Sequence, residues 1–458
     1  MTTDLPSGGA AGMAGVRADF LRIGPEHIER LGWDGERLHA YRTSRLREVL
    51  EAAIAGSPYH ARRLAHIDPS TFELADLPSL PVMTKTEMMA QFDDVVTDRR
   101  LTRAGIEAHL AGIGEQPELY LDDYLILVSG GSSGLRGMYA YHRADLAEYL
   151  AGIVRGGMAK VAAMVGWPPP EPIPTAVVAA PTAAHATRAT VAVMEGTVAA
   201  VTYAPVTMPF DTIVDLVQQT QPLLLAGYAT MIARLADAQR MGRLSITPLM
   251  VLVSSEQLTP DLSQRITAGF GAPPGNGFGS SEGLQGSAPP GSDVFDFASD
   301  LAIVEFVDAH DRPVPPSTTA DHVLVTNLFN RVQPLIRFRL DDRMTEAPPS
   351  NEHGHQRARV EGRTDDIVRI ADTDVHPLTF RTAMLSFPDI AEYQVRIGDD
   401  VVIDVVPTDG RAPDLEHIER KVAGVLHDAG AHVRIEARTV DAVERDPRTG
   451  KTRRFLTV

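Results

Sequence analysis

The chain has 458 residues, no cysteine, 43 Lys and Arg against 60 Asp and Glu, and a formal charge of −17. This excludes disulfides, thiolate nucleophiles, iron–sulfur clusters and cysteine-built zinc sites. It also argues against a nucleic-acid partner, whose phosphate backbone needs clustered basic residues. With 44% hydrophobic and 22% charged residues, the composition is that of a globular protein of two or three domains.

Residues 1–16 are small and polar and read as a flexible tail without a signal pattern. No apolar run approaches the roughly 20 residues needed to cross a bilayer. A cytoplasmic protein without a membrane partner is therefore expected. From Arg17 to Leu64 the pattern is helical, with apolar residues spaced three, four and five apart over 38–50. Thr84 and Glu87 fit a capping box at the start of a short helix.

The middle of the chain alternates predicted strands (125–128, 175–180, 199–203, 223–226, 249–254, 276–278) with predicted helices (145–163, 212–219, 231–241, 260–270). That rhythm is the signature of βαβ units and a largely parallel sheet. A strand-rich part follows at 301–307, 322–326 and 336–338. Beyond the Pro-rich stretch near 348–355, 365–458 carries predicted strands at 393–397, 401–406 and 432–437 and helices at 378–387 and 415–429. It is long enough for a small α/β domain.

Three segments carry chemistry. Val128-Ser129-Gly130-Gly131-Ser132-Ser133-Gly134-Leu135-Arg136-Gly137 follows an apolar strand. Its glycines let backbone amides close on an anion and its hydroxyls add donors, although the Gly-Lys-Ser/Thr of a Walker loop is missing. The alternative is a plain surface turn. Gly277-Phe278-Gly279-Ser280-Ser281-Glu282-Gly283 places an aromatic, a hydroxyl and a carboxylate together, suited to a base, a phosphate and a metal or simply to a loop. Arg337-Phe338-Arg339-Leu340-Asp341-Asp342 ends a strand in two carboxylates, able to hold ribose hydroxyls or only to meet solvent.

Taken in order, and with Gly362-Arg363-Thr364-Asp365-Asp366 and Gly450-Lys451 after them, these motifs resemble the adenylate-forming superfamily of acyl-CoA synthetases and related ligases. The closer similarity is to its phenylacetate–CoA ligase-like branch, supported by Ser57-Pro58-Tyr59-His60 and by Leu77-Pro78-Ser79-Leu80-Pro81. The resemblance implies an α/β fold, with a large N-terminal domain (17–364) of βαβ units with a β-rich subdomain and a small mobile C-terminal α/β domain (365–458). It implies an enzyme that activates a carboxylic acid, aryl or otherwise compact, with ATP and Mg²⁺ as an acyl-adenylate and passes it to CoA. A non-CoA acceptor, as in the amide- or ester-forming ligases of specialised metabolism, or a nucleotide sensor without turnover, are the alternatives. Whether the chain forms a homodimer stays open.

By the same resemblance, Ser129, Gly130, Gly131, Ser132, Ser133 and Gly134 wrap the triphosphate, and Ser255 and Glu256 line the adenine pocket on which Phe278 stacks. Ser281 meets the α-phosphate, with Gly279 and Ser280 beside it among the nucleotide-binding residues, Glu282 holds Mg²⁺, Asp342 takes the ribose hydroxyls and Arg363 reaches ribose or phosphate. Asp365 is the hinge and Lys451 the catalytic lysine, while His185 and Tyr228 are the candidates to face the acid.

Three departures stand out. Leu135 replaces the usual loop lysine, with Arg136 beside it, and Ala371-Asp372 replaces the Arg-Gly that flanks the pantetheine tunnel. Glu352-His353-Gly354-His355 replaces a cysteine cluster and is either a metal site or a solvated loop.

Overall fold

A computed structural model describes residues 9–129, 137–180, 183–350, 352–363, 368–375, 380, 383–384, 387, 389–407, 412–428, 430–445 and 454–458. The chain forms two compact units, Met1–Glu361 and Gly362–Val458.

The first unit begins with helices α1 (Gly9–Arg30), α2 (Gly35–Gly56), α3 (Pro58–Arg63), α4 (Lys85–Ala90), α5 (Phe92–Val95) and α6 (Arg103–Gly112). The tail expected over 1–16 is corrected from Gly9 onward, because those residues are the first turns of α1. The reason is a stripe hidden among small residues: Met13, Val16, Phe20 and Ile23, spaced three or four apart, are all buried in the core. The helical run expected to Leu64 is interrupted by caps. Asp34 accepts from the Arg37 amide (2.8 Å) to start α2. Ser57 ends α2 and starts α3, its hydroxyl accepting from His60 N (3.2 Å).

Next come β1 (Tyr124–Val128) and β2 (Met138–His142), an antiparallel pair forming a sheet of their own. Strand 125–128, expected to open the parallel sheet, is instead paired antiparallel with β2, with the Gly/Ser segment between them in sequence. After α7 (Arg143–Val165), the βαβ run is built from β3 (Ile173–Ala179), α8 (Ala186–Met194), β4 (Ala199–Pro205), α9 (Phe210–Thr220), β5 (Leu224–Tyr228), α10 (Ala229–Arg240), β6 (Met250–Ser254), α11 (Pro260–Phe270) and β7 (Gly275–Gly279). Neighbouring strands in the order β4-β3-β5-β6-β7 are parallel. Val178, Leu225 and Val253 pack on Ile213, Val217, Ile232 and Leu235 of the covering helices. α11 shows local sequence and structure agreeing at both ends: Thr259 caps it, Pro260 occupies the first turn, and Gly271 ends it in the left-handed region (φ +81°).

The strand-rich part adds β8 (Gln285–Ala288), β9 (Val294–Phe297), β10 (Ala302–Val307), β11 (His322–Asn327), β12 (Phe338–Leu340), β13 (Asp342–Glu346) and β14 (Arg357–Arg363). The described strands of the large sheet run β13-β14-β9-β8-β7-β6-β5-β3-β4, and β10-β11-β12 form a separate antiparallel sheet. The strand expected at 336–338 begins only at Phe338. Arg337 lies in the left-handed region (φ +49°) with its guanidinium buried against Glu305 (3.0 Å) and the Pro78 carbonyl (3.1 Å).

The second unit contains the hairpin β15 (Val368–Ile370) and β16 (Thr373–Val375), then β17 (Ile390–Ile397), β18 (Val401–Pro407), α12 (Leu415–Asp428), β19 (Ile435–Thr439) and β20 (Phe455–Thr457). The sheet order is β19-β18-β17-β20, with Ile403 and Val405 packed on Ile418, Val422 and Leu426. The helix expected at 378–387 lies largely outside the described residues, and the strand expected at 432–437 begins at Ile435. Among the described residues no helix is long and apolar enough to cross a membrane.

Candidate active site

The candidate residues gather at the C-terminal ends of the parallel strands, the end at which open α/β sheets bind ligands. The 183–185 segment follows β3, Tyr228 ends β5, Ser255 and Glu256 follow β6, Phe278 and Gly279 end β7, and Ser280 to Glu282 follow it.

The Gly/Ser loop is anchored by its stem. Ser129 N donates to the Gly137 carbonyl (3.0 Å), and Gly137 N donates to Ser129 Oγ (3.1 Å). Gly130, Gly131, Ser132, Ser133, Gly134, Leu135 and Arg136 lie outside the described residues. Position 137 must be glycine, since a side chain there would collide with the Tyr139 ring. The free edge of β2 is closed by side chains instead of a third strand. Gln333 accepts from Ala140 N (2.7 Å) and donates to the Met138 carbonyl (3.0 Å), while Asn330 donates to the Ala140 carbonyl (3.0 Å). All are buried, so the strand's polar groups are matched without water.

From this hairpin and α7, three tyrosines clamp the 280–284 turn between β7 and β8. Tyr149 donates to the Ser280 carbonyl (3.1 Å), Tyr141 to the Ser281 carbonyl (2.7 Å), and Tyr139 to Glu282 Oε1 (2.7 Å). Tyr139 and Tyr141 are two residues apart on one strand and therefore share a face. Asn327 Nδ2 adds a bond to the Glu282 carbonyl (3.1 Å). Gly283 makes this turn possible at φ +102°, where a side chain would strike Asn327. The Tyr139 hydroxyl also lies against Gly137, whose amide donates to Ser129 Oγ. Burial, and then the Glu282 carboxylate, push its acidity far out of reach, so it remains a donor. Ser129 at the stem of the first motif and Glu282 in the second are thus brought close through Gly137 and one buried phenol.

Glu282 is buried, with Oε1 fixed by Tyr139 and Oε2 taking no hydrogen bond from a described residue. One carboxylate oxygen held and one presented suits a Mg²⁺ ion that draws its other ligands from phosphates and water. Phe278 is half-buried and edge-on to Phe295 (6.1 Å) and Phe297 (5.7 Å), which fixes its plane and fits a stacking role. Gly279 is exposed beside it.

Glu256 does more than line a pocket. Its Oε2 accepts from Thr230 N (3.0 Å) and Oγ1 (2.7 Å), tying the loop after β6 to the first turn of α10, which Tyr228 precedes. Glu256 Oε1 is buried with no partner among the described residues. Ser255 adopts φ +67°, a conformation disfavoured for a residue with a side chain and commonest where function imposes it.

Asp342 is the first residue of β13, half-buried, next to an Arg339–Asp341 ion pair (2.9 Å). In the sheet order β13 lies four places from β7, so the ribose role is not joined to the 280–284 turn by strand pairing. Arg363 ends β14. Its side chain, Asp365 and Lys451 lie outside the described residues. His185 precedes α8, and Ala184, just before it, accepts from Val128 N (3.1 Å), which sets the 183–185 segment against the base of the Gly/Ser hairpin.

Neither reading of the 352–355 loop survives intact. His355 is buried, its Nδ1 accepting from Ser299 N (3.2 Å) and its Nε2 donating to the Arg30 carbonyl (2.8 Å). His353 leans on Asp296 (3.5 Å). Both ring nitrogens of His355 are thus spent on the backbone, which removes it as a metal ligand, while Glu352 stays exposed. Among the described residues no group of three or more metal-binding side chains occurs.

No family profile matches the chain. A curated relative, the phenylacetate-coenzyme A ligase of Aromatoleum evansii, is 25% identical over 103 residues, which span 22% of this chain and 23% of that protein. A crystal structure of 2-hydroxyisobutyryl-CoA ligase in the postadenylation state with an acyl-AMP superposes with a TM-score of 0.69 at 18% identity, covering 93% of this chain and 91% of that one. The anthranilate CoA ligase AuaEII with anthranoyl-AMP gives 0.51 at 14% identity, over 71% and 65% of the two chains. Across nearly its whole length, therefore, this chain has the two-unit α/β fold of the adenylate-forming ligases.

Proposed function

We propose that the protein activates a compact carboxylic acid with ATP and Mg²⁺, forming an acyl-adenylate and pyrophosphate, and then transfers the acyl group to CoA with release of AMP. The observation that carries this is the position of Tyr139, whose hydroxyl donates to Glu282 and lies against Gly137 at the Ser129 stem, residues brought together from distant parts of the chain. It unites a phosphate-type loop with a carboxylate suited to a cation, at the ligand-binding end of the sheet.

In this reading Phe278 stacks on adenine, Ser281 and the Gly/Ser loop hold phosphate, and Glu282 holds Mg²⁺, which when bound offsets charge on the phosphates. An acid and ATP repel one another, so attack of a carboxylate oxygen on the α-phosphorus needs fixed positive partners. Lys451 supplies one, bridging carboxylate and α-phosphate as pyrophosphate leaves. The tyrosine clamp keeps Glu282 and the Ser281 backbone in place, so that little reorganisation accompanies the step. Trapping the adenylate by mass spectrometry with a panel of compact acids tests the first half-reaction, and AMP release with and without CoA tests the second. Failure to form an adenylate with any acid contradicts the proposal.

Asp372 favours a second reading, adenylation followed by transfer to an amine or hydroxyl. It sits exposed in the two-residue turn of the β15–β16 hairpin, after Ala371 at φ +45°. It adds charge and bulk where the resemblance places a glycine beside the pantetheine path. Asp372→Gly should raise CoA-dependent turnover if this residue obstructs the thiol, and leave it unchanged if CoA is already the acceptor.

A further inference from the structure

Arg188 lies in the first turn of α8, just past the candidate acid-binding segment. It is 8% exposed and stacks over the Tyr203 ring (3.9 Å), and its Nε is buried without a partner among the described residues. The carboxylate it meets is Glu115, 3.3 Å from Nη2, which keeps 71% of its own side chain in water. Three effects act in one direction. A guanidinium out of water needs a matched counter-charge. A cation at the start of a helix faces the positive end of the helix dipole, and α8 has no acidic residue in its first turn. A buried donor without an acceptor is itself unfavourable.

The surroundings place this partly matched charge near the candidate acid subsite. Tyr203 donates to the Ala180 carbonyl, Ala183 N donates to the carbonyl of Gly114 next to Glu115, and Ala184 accepts from Val128 at the base of the Gly/Ser hairpin. The two groups the guanidinium touches, Tyr203 and Glu115, are thus tied directly or through a chain neighbour to Ala180 and Ala183.

We propose that Arg188 determines substrate specificity by taking a second anionic group, a carboxylate distal to the one that is activated, and that Glu115 is a placeholder which the substrate displaces. This rests on the adenylation reading and narrows its substrate class to compact acids with two anionic groups. An exposed partner is cheaply displaced, since it returns to water. The incoming carboxylate meets both the orphaned Nε and the positive helix end.

The test uses monocarboxylates and dicarboxylates of equal carbon number, with kcat/KM for adenylate formation measured on the full-length wild type, Arg188→Met and Arg188→Lys. The wild type is expected to prefer the dicarboxylate, and Arg188→Met to lower the dicarboxylate-to-monocarboxylate ratio about 10- to 100-fold. Arg188→Lys should retain part of that ratio. A wild type that prefers the monocarboxylate, or a ratio unchanged in Arg188→Met, overturns the inference. Should Arg188→Met not fold, Glu115→Gln takes its place: a lower KM for the dicarboxylate supports a placeholder, and an unchanged KM overturns it. Calorimetric titration of the dicarboxylate without ATP separates the two claims. Arg188-dependent binding with no adenylate removes the enzymatic reading and keeps this one, while turnover blind to the second charge does the reverse.

Discussion

The two sides of the candidate site are built on opposite plans. Around the 280–284 turn, backbone carbonyls and a carboxylate are matched by Tyr139, Tyr141, Tyr149 and Asn327, while Asn330 and Gln333 brace the strand behind them. Around 180–188 the described support is mostly backbone hydrogen bonds, and a buried guanidinium leans on an exposed glutamate. A fully matched network holds a single geometry, which suits a ligand that never changes, such as a nucleotide. A charge left open suits the part of the site that selects among acids. In this fold, constancy and selectivity are separated along the edge of one sheet.

The contrast can be broken in several ways. The largest effect is expected from Lys451→Ala, which should lower kcat for adenylation about 100- to 1,000-fold while ATP affinity changes little, because the ammonium acts on charge that develops in the transition state. A comparable loss in ATP binding, read by equilibrium titration, would move Lys451 into nucleotide binding. Tyr139→Phe comes next. It removes the donor from a buried carboxylate, a cost of about 1–3 kcal/mol, so kcat/KM for Mg–ATP should fall about 10-fold or more. It should do so equally for every acid, unlike Arg188→Met. A dependence on the acid would erase the division between the two sides.

A smaller, pH-dependent effect should appear in stability. His60 Nε2 donates to the Pro334 carbonyl (3.0 Å), bracing the 327–337 segment that holds β2. Burial, and then the nearby Arg63 charge, lower its pKa from 6.5 to about 3. The folded state therefore refuses a proton that the unfolded chain accepts. This stability is fully present above the unfolded value of 6.5 and is lost as pH falls towards 3, at roughly 1.4 kcal/mol per pH unit for one such group. His60→Asn should flatten the fall in denaturant midpoint between pH 6.5 and 5. An unchanged slope would mean that another group sets the acid limit, His355 being the first to examine.

Much of the frame was legible because local and tertiary signals agree. The 260–270 helix has its cap, its proline and its terminal glycine in sequence, and β3 is an apolar run buried on both faces over 175–179. What escaped notice depends on partners remote in sequence. β2 reads as a continuation of a loop until Gln333 and Asn330, almost 200 residues away, complete its edge. Tyr139 and Tyr141 look like strand fillers until the 280–284 turn meets them, although their alternation directly after a glycine-rich tip was a usable signal. His355 looked exposed because its flanks are polar, and only the Arg30 and Ser299 backbones explain its burial. Arg188 carries no motif at all. Its oddity is a counter-charge that stays mostly in water, which no pattern of letters reveals.

The central claim is that Tyr139, set between the Ser129–Gly137 stem and Glu282, assembles an ATP site for carboxylate activation. Isotope exchange between pyrophosphate and ATP tests it most directly. Exchange that requires both Mg²⁺ and a compact acid, and that falls at least 10-fold in Glu282→Gln, is the expected result. Exchange absent with every acid, or undiminished without the Glu282 carboxylate, would contradict it.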